Sequence, residues 1–198
     1  MQKTHNHVAF AFAEPELRIA CVADTHSKPH PDLARWIAEL APHRILHAGD
    51  IGNETVLREL EKHAPVTAVR GNIDELGEPD IVTVAVDGPA EGGTSQFGRD
   101  SLLKIVLTHI AVNGPRLRPD VLALAKKEDA SLVVCGHSHV PFANHDRGVT
   151  VFNPGSAGPR RFQLPILFGV VRIRKGGVTL EHIDCETGKK WKPTSGRT

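Results

Sequence analysis

Between Leu17 and Val69, short apolar runs rich in β-branched residues alternate with stretches of helical spacing, and this alternation is what most restricts the fold. Leu17–Ala23, Arg44–Ala48 and Val66–Val69 read as strands. Between them, Asp32–Ala41 sets Leu33, Ile37, Leu40 and Ala41 on one helical face, with Pro31 suited to the approach to the first turn. Glu54–His63 does the same with Val56, Leu57 and Leu60, and Asn53 is its plausible N-cap. The pattern predicts an α/β fold with a largely parallel sheet covered by helices. From Ile81 onward it changes. Ile81–Val86, Leu102–Thr108, Leu132–Cys135, Val149–Phe152, Leu167–Ile173 and Val178–Ile183 are strand-like, with one helical stretch, about Val121–Lys127, among them. So many strands predict two sheets facing each other. Gly176-Gly177 signals a hairpin, and Gly88–Arg99 reads as a surface excursion.

A chain of 198 residues is long enough for one well-buried core and short for two. The reading is a loose N-terminal extension over residues 1–16, a single domain over 17–184 and a polar, mobile tail over 185–198. The apolar stretch Val8–Ala13 is far shorter than the roughly 18 residues of a membrane span and lacks the basic start of a secretory signal, so no membrane association is expected. A net charge of +1, with 5% aromatic residues and no Tyr, argues against a specific nucleic-acid surface. Three widely spaced cysteines, Cys21, Cys135 and Cys185, suit a reducing cytoplasm. Exposed apolar strand faces would favour a homodimer. His5 and His7 form an H-x-H in the extension that could scavenge metal, and are read as incidental.

The chemistry sits at the carboxyl ends of the predicted strands. Five of them end in a metal-capable residue: IACVAD with Asp24 and then His26, ILHAGD with Asp50, TAVRGN with Asn72, IVLTH with His109, and VVCGHSH with His137 and His139. Gly49, Gly71 and Gly136 directly precede three of these and let the backbone turn sharply beside a bound ion. The set offers two carboxylates, one amide oxygen and four imidazoles. Mixed oxygen and nitrogen ligation suits Mn²⁺, Fe²⁺ or Zn²⁺ better than a thiolate-rich structural site. Seven ligands exceed one tetrahedral ion but suffice for two if a carboxylate, for which Asp50 is the choice, is shared.

The ordered series DTH, GD, GN, TH and GHSH, followed by NPGS at Asn153–Ser156, resembles the calcineurin-like metallophosphoesterase superfamily. In particular it is similar to the small single-domain bacterial and archaeal phosphodiesterases related to the retromer scaffold subunit. The resemblance spans about Leu17 to Asp184. It implies a four-layer αββα sandwich of two mixed sheets flanked by helices, with a di-metal site at one edge. By motif position, one ion would take Asp24, His26, Asp50 and His139, and the other Asp50, Asn72, His109 and His137. Asp50, Asn72 and His109 would be the catalytic set. The implied reaction is hydrolysis of a small phosphodiester by attack of a metal-bridging hydroxide. Mn²⁺ is the expected ion, with Fe²⁺, Ni²⁺ or Zn²⁺ as alternatives. Phosphomonoester hydrolysis, or a non-catalytic interaction scaffold like the retromer subunit, are the competing readings.

Two departures from the superfamily pattern stand out. Many members follow GN with a His placed to protonate the leaving group, whereas here Gly71-Asn72 is followed by Ile73-Asp74. Ile73 cannot donate a proton, which shifts the expected preference toward diesters and good leaving groups. Ile110-Ala111 stands where His109 is commonly followed by Gly. Several neighbours carry both a functional and a structural reading. His47 is either a partner of the site or a satisfied core residue, Asp74 orients the Asn72 loop or is solvated, and Asn153 and Ser156 approach the site or merely build a turn. Asn72, Arg160 and Arg161 are the candidate substrate contacts.

Overall fold

The computed structural model describes residues 3–75, 77–88, 101–161, 163–174 and 176–193. In chain order these form β1 (His5–Ala11), β2 (Glu16–Val22), α1 (Leu33–Leu40), β3 (Arg44–His47), α2 (Thr55–Glu61), β4 (Val66–Ala68), β5 (Ile81–Asp87) and β6 (Ser101–Thr108). There follow β7 (Val112–Asn113), β8 (Arg116–Leu117), α3 (Pro119–Lys127), β9 (Leu132–Val134), β10 (Phe142–Asp146), β11 (Val149–Asn153), β12 (Leu167–Arg174), β13 (Gly177–Asp184) and β14 (Lys190–Trp191). One six-stranded sheet runs β1-β5-β6-β9-β11-β10 and the other β14-β13-β12-β2-β3-β4, both mixed.

Strand periodicity divides the apolar residues among three layers of core. On β2, Leu17, Ile19 and Cys21 face the other sheet, while Ala20 and Val22 face the helices. On β6, Ile105 and Leu107 point between the sheets and Val106 points outward. The central layer is completed by Val82, Val84, Leu132, Val134, Phe152 and Val171. Helices α1 and α2 cover one outer face through Leu33, Ile37, Val56 and Leu60, and α3 covers the other through Val121, Leu122 and Ala125. The result is the αββα sandwich. Truncating a central residue such as Leu107, which is fully buried, to Ala would cost about 2–5 kcal/mol.

Cap chemistry accounts for the helix ends. The Asn53 side-chain oxygen accepts from Thr55 N–H at 2.9 Å, so the residue does cap α2, from one position outside the first cap residue Glu54. Pro119 opens α3 at the position where a missing N–H costs nothing.

Two sequence expectations are corrected here. The sequence predicts a loose extension over residues 1–16, but within its described part β1 pairs in parallel with β5 from His5–Ile81 to Ala11–Asp87, and Thr4 N–H donates to Asp80 Oδ2 at 2.7 Å. The alternation that drives this is Val8, Phe10 and Phe12 packing into the central core while the intervening residues face away. The polar tail is likewise ordered at its start, where Trp191 pairs with His182 and Lys190 with Ile183. The excursion predicted at 88–99 lies, apart from Gly88, outside the described residues. No helix among the described residues is long and apolar enough to cross a membrane.

Candidate metal centre

The sheets deliver their functional side chains to one shared edge. Asp24 and His26 follow β2, Asp50 follows β3, Asn72 follows β4, His109 follows β6 directly, and His137 and His139 follow β9. Backbone hydrogen bonds continue past the strand ends and lock these loops together. Asp24 N–H donates to Gly49 O and His26 N–H to Asp50 O, both at 3.0 Å, and Gly136 N–H donates to His109 O at 3.0 Å. Five site residues, Asp24, His26, Asp50, His137 and His139, have positive φ of 54°, 46°, 52°, 68° and 59°. Such left-handed conformations are uncommon outside glycine and cluster at functional sites.

Two groups of ligand atoms lie within 4.8 Å of one another, Asp24 with His26 and His139, and Asp24 with Asp50 and His109. The Nε2 atoms of His26 and His139 are 3.3 Å apart, and His139 Nε2 is 3.5 Å from Asp24 Oδ1. His109 Nε2 is 3.3 Å from Asp50 Oδ1, and His26 Nε2 is 3.8 Å from Asp50 Oδ2. Both carboxylates therefore stand between the two histidine pairs. The His137 ring meets His109 edge-on with centroids 5.2 Å apart, and its backbone N–H donates to Asp24 Oδ1 at 3.1 Å. Asn72 borders a cleft of about 340 Å³ with Gly71, Asp74 and His109. All seven predicted positions thus lie in the loops at one edge of the sandwich, with His137 outside the two tight groups.

The donor set fits divalent cations. His109 Nδ1–H donates to Ala48 O at 2.7 Å, which leaves Nε2 as a lone pair facing the Asp50 carboxylate. Two acceptors at that separation need a proton or a cation between them, and against the lowering effect of burial the Asp50 carboxylate raises the His109 imidazole. Asp24 Oδ2 and His109 Nε2, at the site, and the ring Nδ1 atoms of His47 and His139, away from it, are buried with no hydrogen-bond partner among the described residues; an orphaned buried acceptor costs about 1–3 kcal/mol. Burial pushes the Asp24 carboxyl up to about 7, opposed by His109 and reinforced by the Asp50 charge. At Asp50 burial acts upward too, but the neighbouring His109 ring, with the N–H groups of Ile73 and Asn72, holds it well below the usual carboxylate range. Burial, with the neighbouring Arg161 and His26, lowers His139 to about 4, so its imidazole is neutral and free to coordinate.

The close approaches explain the glycines. A Cβ on Gly49 would lie 2.7 Å from His109 Nδ1 and 2.8 Å from Gly71 N, and one on Gly71 would collide with Asp50 N and Oδ1. Around the ligands, Asp74 Oδ2 accepts from Gly71 N–H at 2.7 Å and Ile51 N–H at 3.1 Å, and Oδ1 from Gly52 N–H at 2.8 Å. Asp74 is thus the staple between the loops bearing Asp50 and Asn72. His47 resolves as a core partner of Thr25, with Nε2 3.0 Å from Thr25 Oγ1, which in turn donates to Ile51 O. Asn153 Nδ2 donates to Gly136 O and Ser138 Oγ, and Ser156 Oγ donates to Asp24 O. The Asn-Pro-Gly-Ser segment therefore both turns the chain and supports the ligand loops. Thr25 and Gly158, whose absent Cβ makes room for the carbonyls of Asp24 and Thr25, were not singled out from sequence; the DTH and NPGS motifs beside them were the available signal.

The two arginines separate. Arg161 Nη2 lies 3.3 Å from His26 Nε2, at the site. Arg160, the other candidate substrate contact, donates to Leu164 O at 2.9 Å and pairs with Glu186 at 2.5 Å. On the other side, an apolar cavity of about 570 Å³ adjoins the centre, walled by Ile110, Val112, Val140, Phe142 and His137. Ile110 borders both this cavity and the polar cleft beside His109.

Residues 17–176 match the family model of the calcineurin-like phosphoesterase superfamily domain. The chain belongs to this superfamily. A relative of this calcineurin-like phosphoesterase, a probable metallophosphoesterase of Methanothermobacter thermautotrophicus, is 28% identical over 176 residues, covering 86% of this chain and 92% of the relative. Among solved structures, Vacuolar Protein Sorting 29 of Cryptosporidium parvum superposes with a TM-score of 0.67 at 18% identity, over 90% of this chain and 96% of that one. An archaeal phosphodiesterase superposes with a TM-score of 0.57 at 20% identity, over 84% of this chain and all (100%) of that one. At these identities the structural likenesses establish the fold. Membership of a metallophosphoesterase family implies divalent metal ions and hydrolase chemistry, and the donor set above could hold such ions.

Proposed function

We propose that this calcineurin-like phosphoesterase hydrolyses small phosphodiesters with two divalent cations, most favourably Mn²⁺, in a reducing cytoplasm. The observation that carries the reading is the pair of buried, unpartnered atoms Asp24 Oδ2 and His109 Nε2 converging with Asp50, His26 and His139 on one edge of the sandwich. Asp24, His26 and His139 would hold one cation and Asp50, Asn72, His109 and His137 the other, with a carboxylate shared. When bound, such ions activate water and neutralise charge on a phosphoryl group.

The chain's own residues supply the rest. Asp74 fixes the loops of Asp50 and Asn72, and the Ala48 carbonyl fixes the His109 tautomer. Arg161 stands beside His26 as a fixed positive charge for a phosphate oxygen. Preference for a diester follows from Ile73, which is half exposed and carries no ionisable proton where a general acid could stand. The apolar cavity beside His137 offers room for an organic substituent, which a diester has on both sides of phosphorus. The archaeal phosphodiesterase of the same fold lends support.

The test is direct: load the purified chain with Mn²⁺ and follow a chromogenic aryl phosphodiester. Metal-dependent turnover that Asp50→Asn removes is the expected result. Absence of turnover across Mn²⁺, Fe²⁺, Ni²⁺ and Zn²⁺, or an undiminished rate in Asp50→Asn, would overturn the reading.

A further inference from the structure

A second group of metal-capable side chains lies on β1, the edge strand separated by β5 from the strand that carries His109. On β1, residues at odd positions face away from the central core because Val8 and Phe10 face into it, so His5 and His7 project side by side from the same face. Their ring centroids are 4.4 Å apart. That face is the one covered by α3, and Glu128, the residue that ends α3, reaches it: His7 Nε2 is 2.9 Å from Glu128 Oε2. Ligand atoms of His5, His7 and Glu128 all lie within 4.8 Å of one another. The Glu128 side chain is 14% exposed and that of His7 61%, so the carboxylate is shielded while an ion has a path of entry past His7.

We propose that His5, His7 and Glu128 form a separate surface site for a single Zn²⁺ ion, which clamps the N-terminal strand to the end of α3. Two imidazoles and one carboxylate are a ligand set that zinc accepts in tetrahedral geometry, with water in the fourth position. Thr83 Oγ1, 2.8 Å from His5 Nε2, orients that ring from the neighbouring strand and leaves Nδ1 to coordinate. Support of this kind from a non-ligating residue is usual at metal-binding histidines. The sequence shows the H-x-H pair but not Glu128, which lies 121 positions from His7. The site is independent of the reading of the central cluster.

Zinc titration of the chelator-stripped full chain, followed by calorimetry and by elemental analysis after desalting, tests the proposal. Wild type is expected to retain one more zinc equivalent than His7→Asn or Glu128→Gln, with turnover of the aryl diester unchanged in both variants. Zinc is also expected to raise the melting temperature more in wild type than in either variant. Two variants on different elements guard against a local folding defect, which circular dichroism would reveal in one and not the other. Equal zinc content in wild type and both variants overturns the site, whatever the outcome at the central cluster.

Discussion

The Asp74 carboxylate accepts the Gly71 N–H at 2.7 Å and thereby ties the loop after β4 to the loop after β3, whose Ile51 and Gly52 N–H groups it also accepts. Asp74→Ala would leave three backbone donors without this partner. Unsatisfied donors cost about 1–3 kcal/mol each when water cannot reach them, and a lost support of this kind weakens metal affinity about 10–100-fold. The expected outcome is a lower melting temperature and a Mn²⁺ activation curve displaced to higher concentration. An unshifted activation curve would show that the loops hold themselves.

Gly71→Ala is the sharper perturbation. Its methyl group would meet the Asp50 backbone and carboxylate, neither of which can retreat, because Asp50 O accepts from His26 N–H and Oδ1 accepts from Ile73 N–H. Metal-dependent turnover should fall by two orders of magnitude or more, as misplacement of about 1 Å does in other sites. The sandwich should survive, since Gly71 lies outside its core. Turnover and far-ultraviolet circular dichroism, measured together, check both halves.

Stability should depend on pH through His47. Burial lowers this imidazole from 6.5 to about 4, so between those values the unfolded chain binds a proton that the folded chain refuses. Stability attributable to His47 is therefore present in full above pH 6.5 and is lost as pH falls toward 4. The loss is on the order of 3 kcal/mol. Urea denaturation at a series of pH values should show a shallower acid-side decline in His47→Gln than in wild type. Parallel declines would mean that other groups carry the dependence.

Leaving-group preference should trace to Ile73. Aryl phosphodiesters are expected to be cleaved far faster than alkyl phosphomonoesters, because general-acid assistance worth roughly 10²–10⁴-fold is missing. Ile73 is exposed, so Ile73→His is a tolerable change, and it should raise the relative rate on poor leaving groups. Comparing kcat/KM for the two substrate classes in wild type and variant reads this out; a monoester preference in wild type would contradict it.

All three cysteines are free and buried, and burial pushes Cys135 up to about 12. They should resist thiol reagents in the native protein and react once it is denatured. A rapidly modified thiol under native conditions would place one of them at the surface.

Much of this was legible in the sequence because ligands at strand ends follow short apolar runs, so the position of Asp24, Asp50, His109 and His139 is announced by what precedes each. The parallel βα units were visible for the same reason. β1 was not, because its pairing partner β5 lies some 76 positions away and its apolar residues, in VAFAFA, also fit a short unstructured run. β10 gives no pattern, since Phe142–Asp146 is a largely exposed edge strand with polar residues at its centre. Arg160 and Arg161 look equivalent in the chain and face different partners in space. Asp74 could be placed near the site, but its three backbone contacts depend on how two distant loops meet.

Asp24, His26, Asp50, His137 and His139 all occupy a backbone region that glycine enters far more cheaply. A lineage freed from the need for hydrolysis would gain folding stability by exchanging these residues for glycine or asparagine. Retention of all five bulky, strained side chains in a homologue is therefore a record of selection on chemistry, and their joint erosion would mark descendants that kept the sandwich for its shape.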